Sequence, residues 1–139
     1  LGVHAYLGNF EPTADATCIP LCFGQVHQFR ALMQQHGAPQ SVYINEFGAL
    51  EDTSTDLGQF NWMKLGPEQR ASHLVDALRL ASVDYAWIMG ATVFNLDHAT
   101  LPTIPQSSEQ HWFSLLNPDG SPRLAFSRIQ QARHSGALP

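Results

Sequence analysis

The residues from Ser41 to Gly48 place a carboxylate at the end of a β-prone, mostly apolar run. Val42, Tyr43 and Ile44 favour a strand, Glu46 follows them, and a glycine then releases the backbone. Holding an acid in a partly buried place costs free energy unless other groups compensate it. Enzymes with parallel sheets put catalytic groups at such strand ends. The pattern therefore predicts a functional Glu46; the alternative is a strand-edge carboxylate that only faces water.

Side chains suited to binding a sugar stand near the ends of all three predicted strands. If these ends converge on one face, they surround one pocket with Glu46; they are His4, Tyr6, Asn45, Asn95, Asp97 and His98. Glu46 could then attack an anomeric carbon while Tyr6 orients it by a hydrogen bond. Aromatic rings near the walls would stack on sugar C–H faces, and the candidates are Trp62, Trp87, Phe94 and Trp112.

Strands and helices alternate along the chain. Strands are predicted at about 1–7, 42–47 and 85–96, and helices at about 23–36, 67–83 and 122–134. This order predicts a single α/β domain with parallel strands, with long loops on the side where the active face of a (β/α)8 barrel lies. The third strand is apolar nearly throughout, which is typical of a strand buried on both faces.

The helix at 23–36 carries a row of apolar residues at helical spacing. Val26, Phe29, Arg30, Leu32 and Met33 follow the spacing of one apolar face, which is expected to be buried. Isolated histidines on helices are expected at the surface, and these are His27, His36, His73 and His134. Acids in the loops are expected to be solvated charges, and these are Glu11, Asp15, Glu51, Asp52 and Asp56.

Composition excludes several classes of partner. The 139 residues carry a net charge of −5, and their seven Lys and Arg are scattered. Nucleic acid is therefore not an expected partner, because it requires a basic face. No apolar run approaches the ~20 residues that span a bilayer. The chain begins at Leu1 inside a predicted strand, without a charged leader, which indicates a fragment.

The two cysteines, Cys18 and Cys22, leave two states open. Their spacing in a proline-containing loop permits a small disulfide or two free thiols. They make a poor zinc site without a nearby ligand pair, and Asp97 and His98 have no third ligand beside them. We therefore expect no metal and no cofactor.

In their order along the chain, five segments resemble the last three βα units of clan A glycoside hydrolases, the large retaining (β/α)8 superfamily. Family-39-like and cellulase-like members, with a His-x-Tyr sixth strand and a Thr-Glu-Phe-Gly seventh strand, are the most similar. The segments are Val3–Tyr6, Tyr43–Gly48, Trp87–Asn95, Trp112–Leu116 and the helix entry Asp119–Phe126.

The resemblance implies a partial (β/α)8 TIM barrel that acts on an oligo- or polysaccharide. Glu46 corresponds to the nucleophile, and His4 and Tyr6 to the residues that support it and line the sugar site. Asn45 stands where Thr or Gly is usual, and Phe94 or Trp87 corresponds to the aromatic residue under the sugar.

The second catalytic carboxylate of that family has no counterpart in this sequence. The family's acid/base is the Glu of an Asn-Glu-Pro motif that ends the fourth strand, whereas Asn45-Glu46 is followed by Phe47. Retaining hydrolysis requires two carboxyl groups. We therefore expect the isolated chain to be inactive and to need the missing N-terminal half of the barrel. A non-catalytic carbohydrate-binding module or pseudo-enzyme is the alternative, and a metal-dependent barrel hydrolase fits less well.

Overall fold

The computed structural model describes residues 1–14 and 17–139, so Asp15 lies outside the described residues. In this part of the chain one sheet has three parallel strands, β1 (Gly2–His4), β2 (Val42–Phe47) and β5 (Ile88–Val93), in the order β1-β2-β5. A small second sheet pairs β3 (Leu50–Glu51) with β4 (Lys64–Leu65). The chain is thus a mixed α/β structure with parallel strands.

Four α-helices connect and follow these strands in the described residues. They are α1 (Val26–Gln35), α2 (Pro67–Arg79), α3 (Glu109–Phe113) and α4 (Leu124–His134). A 3-10 turn precedes α1, and a π-helical turn, Leu80–Asp84, prolongs α2. Proline at its first position and Arg79 in its last turn favour α2 locally. These bounds agree with the three predicted helices to within a few residues; α3 was not predicted.

The pairing of β1 with β2 continues beyond the three residues that β1 contains. The main-chain N–H of Ala5 donates to the Glu46 carbonyl (2.8 Å), and that of Leu7 donates to the Gly48 carbonyl (3.1 Å). The extended run thus reaches Leu7, as the predicted strand at 1–7 does. This pairing places the side chain of Tyr6 beside the end of β2.

The core lies between the sheet and the helices. Val42 and Ile44 of β2 are fully buried, whereas Tyr43 between them is exposed on the other face. Leu74 and Ala77 of α2 pack on the buried side. From Val42 to Asn45 the strand therefore follows the period of two that places successive side chains on opposite faces. The buried Phe47 departs from this period, where the pairing with β5 shifts register between Ile44 and Phe47.

The prediction that the third strand is buried on both faces is wrong. β5 begins at Ile88 rather than at residue 85, and Met89 is 72% exposed. Among the residues of β5 only Ile88 is buried, and the others are half-buried or exposed. Its apolar sequence resembles that of a strand buried on both faces, but the described residues do not bury it so.

The predicted buried face of α1 is also wrong in part. Val26 is buried and Met33 packs on the core, but Phe29 and Leu32 are exposed. The row of apolar residues is wider than the surface that α1 covers, so two of its members remain in solvent.

Candidate active site

Glu46 is the last residue but one of β2 and lies beside two side chains of the neighbouring extended run, as the sequence predicts. The Tyr6 hydroxyl donates a hydrogen bond to Oε2 of Glu46 at 2.8 Å. Nδ1 of His4 lies 3.5 Å from the same oxygen, and both side chains of that pair are partly exposed. The parallel pairing of β1 and β2 therefore brings an acid, a phenol and an imidazole to one end of the sheet.

The environment of Tyr6 keeps its hydroxyl protonated. Burial raises the pKa of Tyr6, and the hydrogen bond to Glu46 and the negative charges of Glu46 and Glu109 raise this pKa further. A protonated phenol can donate while a carboxylate can only accept. Tyr6 is thus a fixed donor to Glu46 at physiological pH.

A cleft of about 470 Å³ opens beside Glu46. Carboxylate, imidazole, amide and phenol groups stand among aromatic and aliphatic walls, which is the composition of a ligand site. Its lining residues are Tyr6, Leu21, Glu46, Phe60, Met63, Phe94, His98, Glu109, Gln110 and Phe113. A groove of similar volume beside β5 is lined by no carboxylate side chain, so only the first of the two has the groups for acid–base chemistry.

Phe94, Phe113 and Tyr6 form the aromatic wall. The Tyr6 ring meets Phe94 and Phe113 edge-on, with centroids 6.1 and 5.3 Å apart. Gly48 permits this packing, because a Cβ there would lie 2.6 Å from the Phe94 carbonyl and 3.1 Å from the Phe113 ring. Gly48 therefore allows the backbone after β2 to lie close to the Phe94 carbonyl and the Phe113 ring.

Asn95 holds the loop that follows β5. Its Nδ2 donates to the Gln110 carbonyl (2.8 Å), and its Oδ1 accepts from the His98 main-chain N–H (3.0 Å). The side chain is buried, and both ends of its amide are thus used by main-chain groups. This geometry positions His98 and Gln110 at the cleft.

Four of the predicted substrate-binding residues lie outside the cleft lining: His4, Asn45, Asn95 and Trp112. Asn45 is exposed, with its amide against Gly2. The Trp112 ring carries the Arg123 guanidinium over it, 5.3 Å from its centroid, and its Nε1 donates to the Gln106 carbonyl (2.8 Å). Trp112 therefore packs the loop, and Phe94 is the candidate sugar platform that reaches the cleft. Trp87 stacks on Tyr85 beside the core.

The expectation that Glu51 is a solvated loop charge is wrong. Its two carboxylate oxygens accept from Arg70 (2.7 Å) and Arg123 (3.0 Å), whose side chains are almost fully buried. Arg70 also donates to the carbonyls of Ala49, Phe113 and Ser114. The ion pairs hold β3, α2 and the Phe113 segment together, and thereby support the cleft wall.

His73 is likewise not a surface residue. It is buried in α2, and burial lowers its pKa, against the opposing effects of Glu11, Asp76 and a main-chain hydrogen bond at Phe10. His111 is buried too, and burial lowers its pKa. The Nδ1 atoms of His73, His98 and His111 are buried without a hydrogen-bond partner in the described structure.

Sequence reasoning missed the part of the cleft that loops supply. Glu109, Gln110 and Phe113 come from α3, and Phe60 and Met63 from the 3-10 segment Gly58–Met63. Ser108 was the available signal for α3, because its side chain caps the helix by accepting from the Gln110 N–H (3.3 Å).

Three further features bear on partners. Among residues 1–14 and 17–139, no three or more His, Cys, Asp and Glu side chains form a group that could hold a metal ion. None of the described helices is long and apolar enough to cross a membrane. Cys18 and Cys22 form a disulfide, which resolves the alternatives that the sequence left open.

Comparison with known proteins gives structural matches alone. No protein-family model matches the sequence, and no curated protein is significantly similar to it. The β-glucuronidase of Bifidobacterium dentium matches 97% of this chain over 20% of its own length, with 18% identity and a TM-score of 0.58.

Two further solved structures share the fold. A GH2 β-galacturonidase from Eisenbergiella tayi covers 96% of this chain with 23% of its own, at 12% identity and a TM-score of 0.63. A family 39 glycoside hydrolase from Bacteroides cellulosilyticus covers 90% with 24%, at 19% identity and a TM-score of 0.57. The chain therefore has the fold of a part of glycoside hydrolases. It spans about a fifth to a quarter of these proteins' lengths.

Proposed function

We propose that this chain is the C-terminal part of a retaining β-glycoside hydrolase, with Glu46 as its nucleophile. The observation that carries the proposal is the position of Glu46, at the end of a parallel strand in an aromatic-walled cleft, with the Tyr6 hydroxyl 2.8 Å from Oε2. The shared fold with glycoside hydrolases supports it.

The proposed mechanism begins with the attack of Glu46 Oε on the anomeric carbon of a bound sugar. The bond to the leaving group breaks, and a glycosyl ester of Glu46 forms; water then releases the sugar with the same anomeric configuration. Tyr6 keeps the attacking carboxylate in place by its hydrogen bond, and His4 lies against the same oxygen. Phe94 offers a ring for the sugar's C–H face.

The acid/base carboxyl group is proposed to come from outside these 139 residues, on a preceding part of a (β/α)8 barrel. Two features support that arrangement. Tyr43 and Met89 leave much of the sheet exposed, and β1 and β5 are edges of the described sheet. The structural relatives named above are four to five times longer than the segment that this chain matches. The isolated chain is therefore expected to be inactive.

The test is the kinetics of the complete gene product that contains this chain. Glu46→Gln removes the nucleophile without changing the side-chain volume, and we expect aryl β-glycoside hydrolysis to fall at least about 1,000-fold. Glu68→Gln makes the same change at an exposed carboxylate of α2 and should leave the rate unchanged. Wild-type protein that binds oligosaccharides but hydrolyses none would instead favour the non-catalytic carbohydrate-binding module.

A further inference from the structure

Resting on the glycosidase function proposed above, we infer that the cleft accepts uncharged sugars and that Glu109 selects them against uronic acids. The cleft lining contains two carboxylates, Glu46 and Glu109, and neither Lys nor Arg among the described residues. A uronic acid would bring a third negative charge into this partly closed space. Like charges brought together without a compensating cation oppose binding.

The Lys and Arg side chains of this chain lie outside the cleft lining. Glu51 and main-chain carbonyls hold Arg70 and Arg123, and Lys64 Nζ donates to the carbonyls of Thr53 (2.9 Å) and Thr55 (2.8 Å). The remaining arginines also lie away from the cleft lining: Arg30, Arg79, Arg128 and Arg133. None is therefore placed to pair with a sugar carboxylate.

Glu109 is the residue that gives the cleft this preference. Glu109 is the first residue of α3, where the Ser108 side chain caps the helix. It lies near enough to Tyr6, whose hydroxyl donates to Glu46, for its negative charge to help raise the pKa of Tyr6. An ionised carboxylate only accepts hydrogen bonds. Sugar hydroxyls can donate to Glu109, whereas a sugar carboxylate cannot.

His98 completes the polar side of the cleft. Its Nδ1 is buried without a partner, so a proton there would be an unsatisfied buried donor. The tautomer with its proton on Nε2 is thus favoured, and it suits donation to a hydroxyl oxygen. A lining that carries two carboxylates and neither Lys nor Arg would set the substrate preference of this chain apart from that of the β-glucuronidase and β-galacturonidase that share its fold.

The experiment compares matched substrates on the complete gene product that contains this chain. The pairs are the 4-nitrophenyl β-glucoside with the β-glucuronide, and the β-galactoside with the β-galacturonide, which differ at C6. For wild type we expect kcat/KM to favour the neutral member of a pair by at least about 10-fold. Glu109→Gln should shrink that ratio several-fold, and Glu68→Gln should preserve it.

Salt provides a second measurement that needs no variant. Raising NaCl from about 20 mM to about 0.5 M screens the repulsion between the carboxylates. The kcat/KM for the uronide should therefore rise relative to that for the neutral sugar.

Three results would overturn the inference while leaving the glycosidase intact. These are equal or faster hydrolysis of the uronides, a ratio unmoved by Glu109→Gln, and a ratio insensitive to salt. Loss of all hydrolysis in Glu109→Gln would also count against it, since an acid/base role predicts that outcome. Wild type that cleaves no member of either pair would overturn the inference, whereas the proposed function fails only if no aryl β-glycoside and no β-linked oligosaccharide is hydrolysed.

Discussion

The Tyr6 hydroxyl and the Glu46 carboxylate meet at 2.8 Å although they stand 40 residues apart in sequence. The meeting depends on the parallel pairing of two extended runs, in which Ala5 and Leu7 donate to the carbonyls of Glu46 and Gly48. The geometry of the candidate site is thus a consequence of backbone register. Changes to either side chain should affect chemistry more than folding.

Tyr6→Phe tests the donor directly. A hydrogen bond to a charged group contributes about 1.5–3 kcal/mol, so we expect kcat/KM of the complete protein to fall about 10- to 100-fold. The ring contacts with Phe94 and Phe113 remain in the variant, so its free energy of unfolding should fall by no more than the about 1.5–3 kcal/mol that the hydrogen bond contributes. A variant with wild-type kinetics would show that Tyr6 does not hold the reacting carboxylate.

Gly48→Ala tests the close approach beneath the cleft. The added methyl group would meet the Phe94 carbonyl at 2.6 Å, so β2 or the loop after β5 must shift. We expect a loss of about 1–3 kcal/mol in the free energy of unfolding, measured by urea denaturation. Gly66→Ala is the matched control, because no atom lies within 4 Å of its Cβ position. Equal stability of the two variants would contradict the packing described.

Glu51→Gln tests the ion pairs behind Phe113. The substitution leaves the buried guanidinium groups of Arg70 and Arg123 without their charge partner, and we expect unfolding to become easier by about 3 kcal/mol. Glu68→Gln, which breaks an exposed pair with Arg128, should remain near wild type in the same urea titration. If both variants unfold alike, Glu51 contributes no more than a surface charge.

His73 predicts a dependence of stability on pH. Burial lowers its pKa, so the unfolded chain takes up a proton at higher pH than the folded chain. The stability that this shift provides is therefore present above the ordinary histidine pKa of about 6.5 and is lost as the pH falls below it.

We expect His73→Gln to reduce the fall in unfolding free energy between about pH 7.5 and pH 5, by at most about 1.4 kcal/mol per pH unit. His36→Gln, at an exposed position, should keep the wild-type slope in the same denaturant titrations. An unchanged slope in His73→Gln would mean that this histidine titrates alike in both states.

The local pattern of the sequence predicts the strands and the position of Glu46 near a strand end, because strand alternation leaves a periodic signal and glycine marks the strand's end. Val42, Ile44 and Glu46 illustrate this agreement. The ion pairs of Glu51 could not be predicted in this way. The local sequence around a loop carboxylate does not indicate whether it faces water or two arginines that are distant in sequence. His73 was missed for the same reason, because its burial depends on packing by the segment around Phe10 and Glu11.

The cleft itself was predicted only in part. Tyr6, Phe94 and His98 follow strand ends, where function is expected, but Glu109 and Phe113 lie on a five-residue helix inside a long loop. Such a helix is too short to leave a periodic signal. The position of this helix also depends on the Asn95 amide, which fixes the loop by two hydrogen bonds to main-chain groups. Because nearly every residue has such groups, the sequence does not reveal which of them the amide binds.

Mechanism-based labelling tests the central claim most directly. The complete gene product would be incubated with a 2-fluoro-β-glycoside that bears a good leaving group, and the peptide carrying the trapped sugar would be identified by mass spectrometry. The account predicts one label, on Glu46, and no label in Glu46→Gln. A label on any other residue would contradict the assignment of Glu46 as the nucleophile.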